Sequence, residues 1–321
     1  MIGRRACLRG ACTAVLGAWL PVHAQAGARR VGILWVPSEP GVRSSRTWDS
    51  FRLALQEKGW TEGREVRFEH RYADGNQDRF RALTRELLAA GVEIVVVGGG
   101  TAALDASNET RSVPIVFVAA PDPDLYVVQN LARPEANVTG VGSLTASQIG
   151  KRLELLKEAF PGISRVGMLP FTTASRNADA YREARALRLE LVAADVQRRE
   201  DLARGVAAVA RPDAWFVQDE VLYLANAKAV VEVLTAQRKP AIYPHTLFAR
   251  AGGLMSLGTD LEDQFKRAAS FVDKILRGAR PGDLPVEMPT TFTLAVHRGT
   301  ARNLGLTIPR AVLLRANEVI D

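Results

Sequence analysis

Cysteine is almost absent from this 321-residue chain, since the two that occur, Cys7 and Cys12, both fall near the start. The rest of the chain therefore has no disulfide framework, no thiolate metal site and no thiol nucleophile. Histidine is nearly as scarce at four residues, and His70, His245 and His297 show no metal-ligand spacing. No apolar run reaches the roughly 20 residues that cross a bilayer. The segment Gly253-Leu254-Met255-Ser256-Leu257-Gly258 lacks the spacing of a Gly-x-Ser-x-Gly nucleophile elbow. No Gly-Lys-(Ser/Thr) follows Gly98-Gly99-Gly100-Thr101, which excludes a phosphate loop there. With no acid, base and nucleophile set to name, the chain does not read as an enzyme, and no cofactor is expected.

What is present is 47% hydrophobic and 24% charged sequence, a globular composition long enough for two lobes with separate cores. Disorder and collagen are excluded, because apolar residues are plentiful and broken everywhere by charge.

Only the first two dozen residues differ. Arg4, Arg5 and Arg9 precede an apolar run from Ala11 to Leu20, and small residues at Val22, Ala24 and Ala26 offer cleavage positions, so residues 1–26 read as a signal peptide. Arg4-Arg5 also resembles a twin-arginine signal, and the export route, Sec or twin-arginine, stays open at this point. Neither cysteine follows the apolar pattern of a lipid-modified site. A cleaved, periplasmic chain without lasting membrane insertion is the expectation.

Losing Arg4, Arg5 and Arg9 with that segment takes the formal charge from +7 to +4. The remaining Lys and Arg alternate with Asp and Glu along stretches such as Arg79 to Glu86, which is a solvated face and not a nucleic-acid surface.

Hydrophobic period gives the element order. Val31 to Val36 is a short apolar run, and Trp48, Phe51 and Leu55 then fall at helical spacing. The unit recurs through Val66 to Tyr72, Glu93 to Val97, Ile115 to Val118 and Val138 to Val141, with helical stretches between. A second series starts with a helix around Ile149 to Phe160. It continues through strands at Arg165 to Leu169, Glu190 to Val196, Ala214 to Val217 and Ala241 to Tyr243, with helices at Asn177 to Arg188 and Leu222 to Gln237. Alternating strands and helices imply parallel sheets with right-handed crossovers, here twice over. A strand at Leu254 to Leu257, a helix from Leu261 ended by Gly278, a strand at Phe292 to Val296 and a last helical stretch finish the chain.

Particular residues then carry a family resemblance. They are Phe51-x-x-Ala-Leu-x-Glu-x-Gly-Trp-x-Glu-Gly63, Asp122-Pro123, Leu131-Ala-Arg-Pro-x-x-Asn-Val-Thr-Gly140, Ala251-Gly-Gly-Leu-Met-Ser256, Val272-Asp-Lys-Ile-Leu-x-Gly278, Asp283-Leu-Pro-Val-Glu-x-Pro-Thr290, Leu304-Gly-Leu-Thr-Ile-Pro309 and Ala316-Asn-Glu-Val-Ile320. As a set they resemble the ABC-transporter substrate-binding family that includes tryptophan- and tyrosine-binding lipoproteins. The resemblance implies a type I periplasmic-binding-protein fold: α/β, two Rossmann-like lobes with parallel sheets, three hinge crossovers and a ligand in the cleft. Boundaries at 27–144 plus 259–284 for the first lobe and 145–258 plus 285–321 for the second follow. The sequence departs from common members at Pro170-Phe171-Thr172, where Asn-Pro is frequent, so the particular ligand does not carry over.

In open parallel sheets ligands sit beyond the carboxyl ends of strands. Gly100 and Thr101 open a helix at one such end, where Thr101 can cap the helix and a carboxylate can dock; a tight turn with no ligand is the alternative. Asp219 follows the strand ending at Val217 and can hold an ammonium group, cap a helix, or do both. Asp122, before Pro123, has the same ambiguity. Thr172 stands at the departed Asn position. Trp35, Tyr243 and His245 end strands on one predicted side and suit a flat ligand, with core packing the alternative.

These residues lead to an exported, monomeric receptor for a small organic solute. An amino acid, aromatic by preference, is its candidate ligand, and an ABC permease with its ATPase is its partner. A periplasmic sensor component presenting its ligand to a receptor kinase is the alternative.

Overall fold

The computed structural model describes residues 27–39, 46–121, 123–125, 127–134, 136–143, 145–172 and 177–321. The expected signal peptide with Cys7 and Cys12, and the candidate Asp122, lie outside them.

The first lobe is a five-stranded parallel sheet of β1 (Arg29–Trp35), β2 (Val66–Tyr72), β3 (Ile94–Gly98), β4 (Ile115–Pro121) and β5 (Val138–Ser143), in the order β2-β1-β3-β4-β5. Its inner strands β3 and β4 are apolar on both faces because each face meets helices. Val31, Ile33, Ile94, Val96, Val116 and Val118 pack on one side with α1 (Arg46–Glu57). Their alternates Leu34, Val95, Val97, Ile115 and Phe117 pack on the other with α2 (Phe80–Ala89) and α3 (Gly100–Glu109). Gly32 sits on the α2 side, where a Cβ would lie 3.1 Å from Leu87, so the glycine lets α2 close on the sheet.

The second lobe repeats the order with β7 (Glu190–Ala193), β6 (Arg165–Leu169), β8 (Ala214–Val217), β9 (Ala241–Tyr243) and β10 (Met255–Gly258), all parallel. Antiparallel β11 (Thr293–His297) and then β12 (Glu318–Ile320) extend it. Its helices are α4 (Thr145–Ala159), α5 (Ala178–Ala186), α6 (Leu202–Ala208), α7 (Val221–Ala225), α8 (Ala227–Ala236) and α9 (Thr246–Arg250). Helix α10 (Leu261–Leu276) leaves β10 and buries Ala268, Phe271 and Val272 in the first lobe's core beside α1. The chain then returns through Val286 and Glu287, which hydrogen-bond Leu131 and Gly140, and ends with α11 (Arg298–Leu304), α12 (Arg310–Arg315) and β12.

Three details differ from the sequence reading. The helix expected from Leu222 to Gln237 is broken at Asn226, whose side-chain amide donates to the Leu222 carbonyl at 2.8 Å and so takes an acceptor from the helix ladder. The final stretch is two short helices and a strand, because Asn317 accepts from Leu294 N and docks β12 beside β11. Helices α6 and α9 are too short for a hydrophobic period to register.

The lobes also touch away from their connections. Val221 and Ala225 of α7 pack against the first lobe's core, and Gln77 donates to Glu220 at 3.1 Å.

Candidate functional site

The carboxyl ends of β8, β9 and β10 converge with the start of α10 and with α4 around a small cavity. Asp219, His245, Thr259 and Arg152 all line it, and the space between them is about 10 Å³, room for roughly one water molecule.

His245 is 2% exposed, with Nε2 2.8 Å from Asp219 Oδ1 and Nδ1 3.3 Å from the Thr259 carbonyl. Both neighbours are acceptors, an arrangement that favours the imidazole with both ring nitrogens protonated, its charged form. Burial alone pushes its pKa down, but the charge and hydrogen bond of Asp219 and the Thr259 carbonyl together outweigh burial and the opposing Arg152, and the net shift is upward.

Arg152 enters from α4 at 1% exposure. Its Nη1 donates to the Val217 carbonyl at 3.0 Å, and the guanidinium lies over the Phe216 ring at 4.9 Å. Nε and Nη2 find no hydrogen-bond partner among the described residues. Burial, only partly offset by the charge of Asp219, pushes its pKa down to about 10, so it stays protonated at neutral pH. The Thr259 hydroxyl is likewise buried without a partner.

The candidates from the sequence separate into groups. Asp219 and His245 come together, in a salt bridge that the sequence reading did not include. That bridge commits Asp219 Oδ1, and it is Glu220 and not Asp219 that caps α7. Thr172 donates from backbone and hydroxyl to Glu220 Oε2 at 3.2 and 3.3 Å. Gly100 is buried in the first turn of α3, but the cap position is Gly99, at φ +81°, and Thr101 makes no capping bond. A Cβ on Gly99 would lie 3.3 Å from Val221, so the glycine lets α7 approach.

Trp35 and Tyr243 do not line the cavity. Strand alternation turns Trp35 into the first lobe's core, where it stacks on Phe265 at 5.7 Å. The same rule sends Tyr243 into the second lobe's core, stacked on Phe248 at 5.2 Å.

Sequence reasoning missed Arg152 and Glu220. Arg152 is a cation on the otherwise apolar stripe of Ile149, Leu153 and Leu156, and that interruption was the available signal. Glu220 is 3% exposed and was overshadowed by its neighbour Asp219. Among the described residues no group of His, Cys, Asp and Glu could hold a metal ion, and no helix is long and apolar enough to cross a membrane.

Residues 30–320 match the family described as ABC transporter substrate binding protein. The chain belongs to that family. A tyrosine-binding protein of Clostridioides difficile is 21% identical over 285 residues, covering 87% of this chain and 81% of that protein. The structure of an ABC domain in complex with L-Trp from Streptococcus pneumonia is 25% identical with a TM-score of 0.82, covering 91% of this chain and all of that one. A conserved domain protein from Vibrio cholerae, 24% identical with a TM-score of 0.83, covers 91% and 99%. The fold is that of the type I periplasmic binding proteins, and the chain is a substrate-binding protein, not an enzyme.

Proposed function

We propose that this substrate-binding protein serves an ABC uptake transporter from the periplasm, after removal of residues 1–26, and closes around a small organic solute, an aromatic amino acid by preference. One observation carries the reading: a charged cluster of Arg152, Asp219 and His245 is buried in the second lobe beside the connections at Ser143 and Gly258-Thr259. Such a cluster costs stability unless a bound molecule uses it. The tyrosine-binding relative and the L-Trp complex support the aromatic preference.

Closure is a population shift. A ligand touching both lobes stabilises the closed form, whose surface a permease can recognise. Glycines at the ends of β5 and β10 let the chain pack closely where it leaves for the connections. A Cβ on Gly258 would lie 1.6 Å from the Pro244 carbonyl oxygen, and one on Gly142 would lie 2.4 Å from Met288 Sδ. Bending about the segments that follow β5 and β10 and the segment near Pro285 is the movement this reading calls for.

The experiment is thermal unfolding and small-angle scattering with L-tryptophan and L-tyrosine. At one hundred times the dissociation constant the ligand should add about 2.7 kcal/mol of stability, and the radius of gyration should fall. An unchanged radius and melting midpoint with both, and with a wider solute panel, sinks the reading.

A further inference from the structure

Among the described residues Arg152 has no salt-bridge partner of its own. The carboxylate that acts on it electrostatically, Asp219, is bonded to His245, and Arg152 Nη1 donates to the Val217 backbone carbonyl. Among the described residues two cations and one carboxylate thus meet in one buried place, an excess of positive charge. Unpaired buried N–H groups on a guanidinium are costly, and a structural arginine usually has them satisfied. Here Arg152 and Thr259, whose Nε, Nη2 and hydroxyl have no partner among the described residues, line the same cavity. All three can donate, and a guanidinium edge matches two oxygens of one planar anion.

We infer that the second lobe takes an anionic group of the solute, chemically a carboxylate, against the free edge of Arg152 and the Thr259 hydroxyl. This rests on the solute-binding reading and deepens it. It also reverses the sequence expectation, which put the carboxylate on the first lobe and an ammonium on Asp219. With Arg152 and charged His245 both beside Asp219, the site repels a cation. The salt bridge between Asp219 and His245 becomes a support that fixes the wall of an anion pocket. The about 10 Å³ now present means that the lobes must part for the anion to enter.

The test compares matched compounds on the full chain by calorimetry and thermal shift: proteinogenic amino acids, their decarboxylated amines, their deaminated acids, and uncharged pentoses, hexoses and polyols. L-tryptophan, tryptamine and indole-3-propionate form one such set. Compounds with the carboxylate should bind and the amines should not. Arg152→Met should weaken carboxylate binding on the order of thirtyfold or more, and Arg152→Lys should recover part of it. A purely structural arginine makes the opposite prediction for the empty protein: Arg152→Met would then lower the ligand-free melting midpoint, whereas an arginine waiting for an anion leaves that midpoint unchanged or raised. Amines that bind as well as acids, full affinity in Arg152→Met, or a ligand-free midpoint that falls in parallel with affinity each overturn the anion site. A neutral sugar that closes the protein overturns the anion site and keeps the solute-binding reading. No binding by any member of the panel overturns both.

Discussion

In the first lobe His70 accepts a hydrogen bond from Trp35 Nε1 at 2.9 Å and lies among Trp48, Phe68 and Tyr72. In the second lobe His245 donates to Asp219 and to the Thr259 carbonyl. The two lobes share a strand order, yet one encloses a neutral imidazole in an aromatic cluster and the other a charged imidazole in a polar one. Burial dominates at His70 and lowers its pKa against the opposing Glu69 and Glu39. At His245 the carboxylate of Asp219 reverses the effect of burial. The difference fits a packing role for the aromatic cluster, and the proposed ligand role of the charged one rests on it.

The largest break in that comparison is Trp35→Ala. Trp35 is 4% exposed and touches Trp48, His70 and Phe265, so its loss should cost about 3–5 kcal/mol in urea unfolding. The folded fraction should keep its ligand affinity, because Trp35 does not line the cavity. A large affinity loss with unchanged stability would restore Trp35 as a cleft wall.

Asp219→Asn comes next, at about 3 kcal/mol, since it leaves the His245 charge buried without its counter-ion. Proton NMR of the His245 ring should then show its pKa moving down. If stability and titration stay as they were, the salt bridge does not hold the imidazolium.

Much of this contrast was legible in the sequence, and the remainder was not, for a physical reason. The near-continuous apolar run Ile94-Val95-Val96-Val97 fits a sheet covered on both faces, because a run with no polar alternate leaves neither face for solvent. Strand alternation decides that Trp35 and Tyr243 point into cores, but their position at strand ends drew a ligand reading. Asp219 and His245 stood out individually; their bond depends on the distance between β8 and β9, which no local spacing encodes. Arg152 is further removed, since the groups around it, Val217, Phe216 and Asp219, come from another element. A helical stripe reports that a cation is buried and not what it is buried against.

Stability against pH separates the two histidines with a smaller effect. His70 has a lowered folded pKa, so its contribution is present above the ordinary value of 6.5 and is lost as pH falls through the lowered one. His245 has a raised folded pKa, so its contribution is complete below 6.5 and is lost as pH rises through the raised one. His70→Gln should therefore flatten the acid side of a stability profile from denaturant titrations, and His245→Gln the neutral-to-alkaline side. Identical profiles for the two variants would remove the distinction.

The smallest expected effect is at Thr101, and it sharpens the comparison most. If Thr101 capped α3, Thr101→Val would cost about 1 kcal/mol. Gly99 holds the cap position and Thr101 is half-buried in the first turn, so the loss should stay under about 0.5 kcal/mol. The same variant also asks which lobe holds the solute's anion. A carboxylate on the first lobe would lose the Thr101 hydroxyl, and its affinity would fall severalfold. A carboxylate against Arg152 in the second lobe should be bound as in the parent chain. Calorimetry of Thr101→Val beside Arg152→Met with the same carboxylate therefore reads the polarity of the site directly. A loss confined to Arg152→Met places the anion on the second lobe, and a loss confined to Thr101→Val returns it to the first.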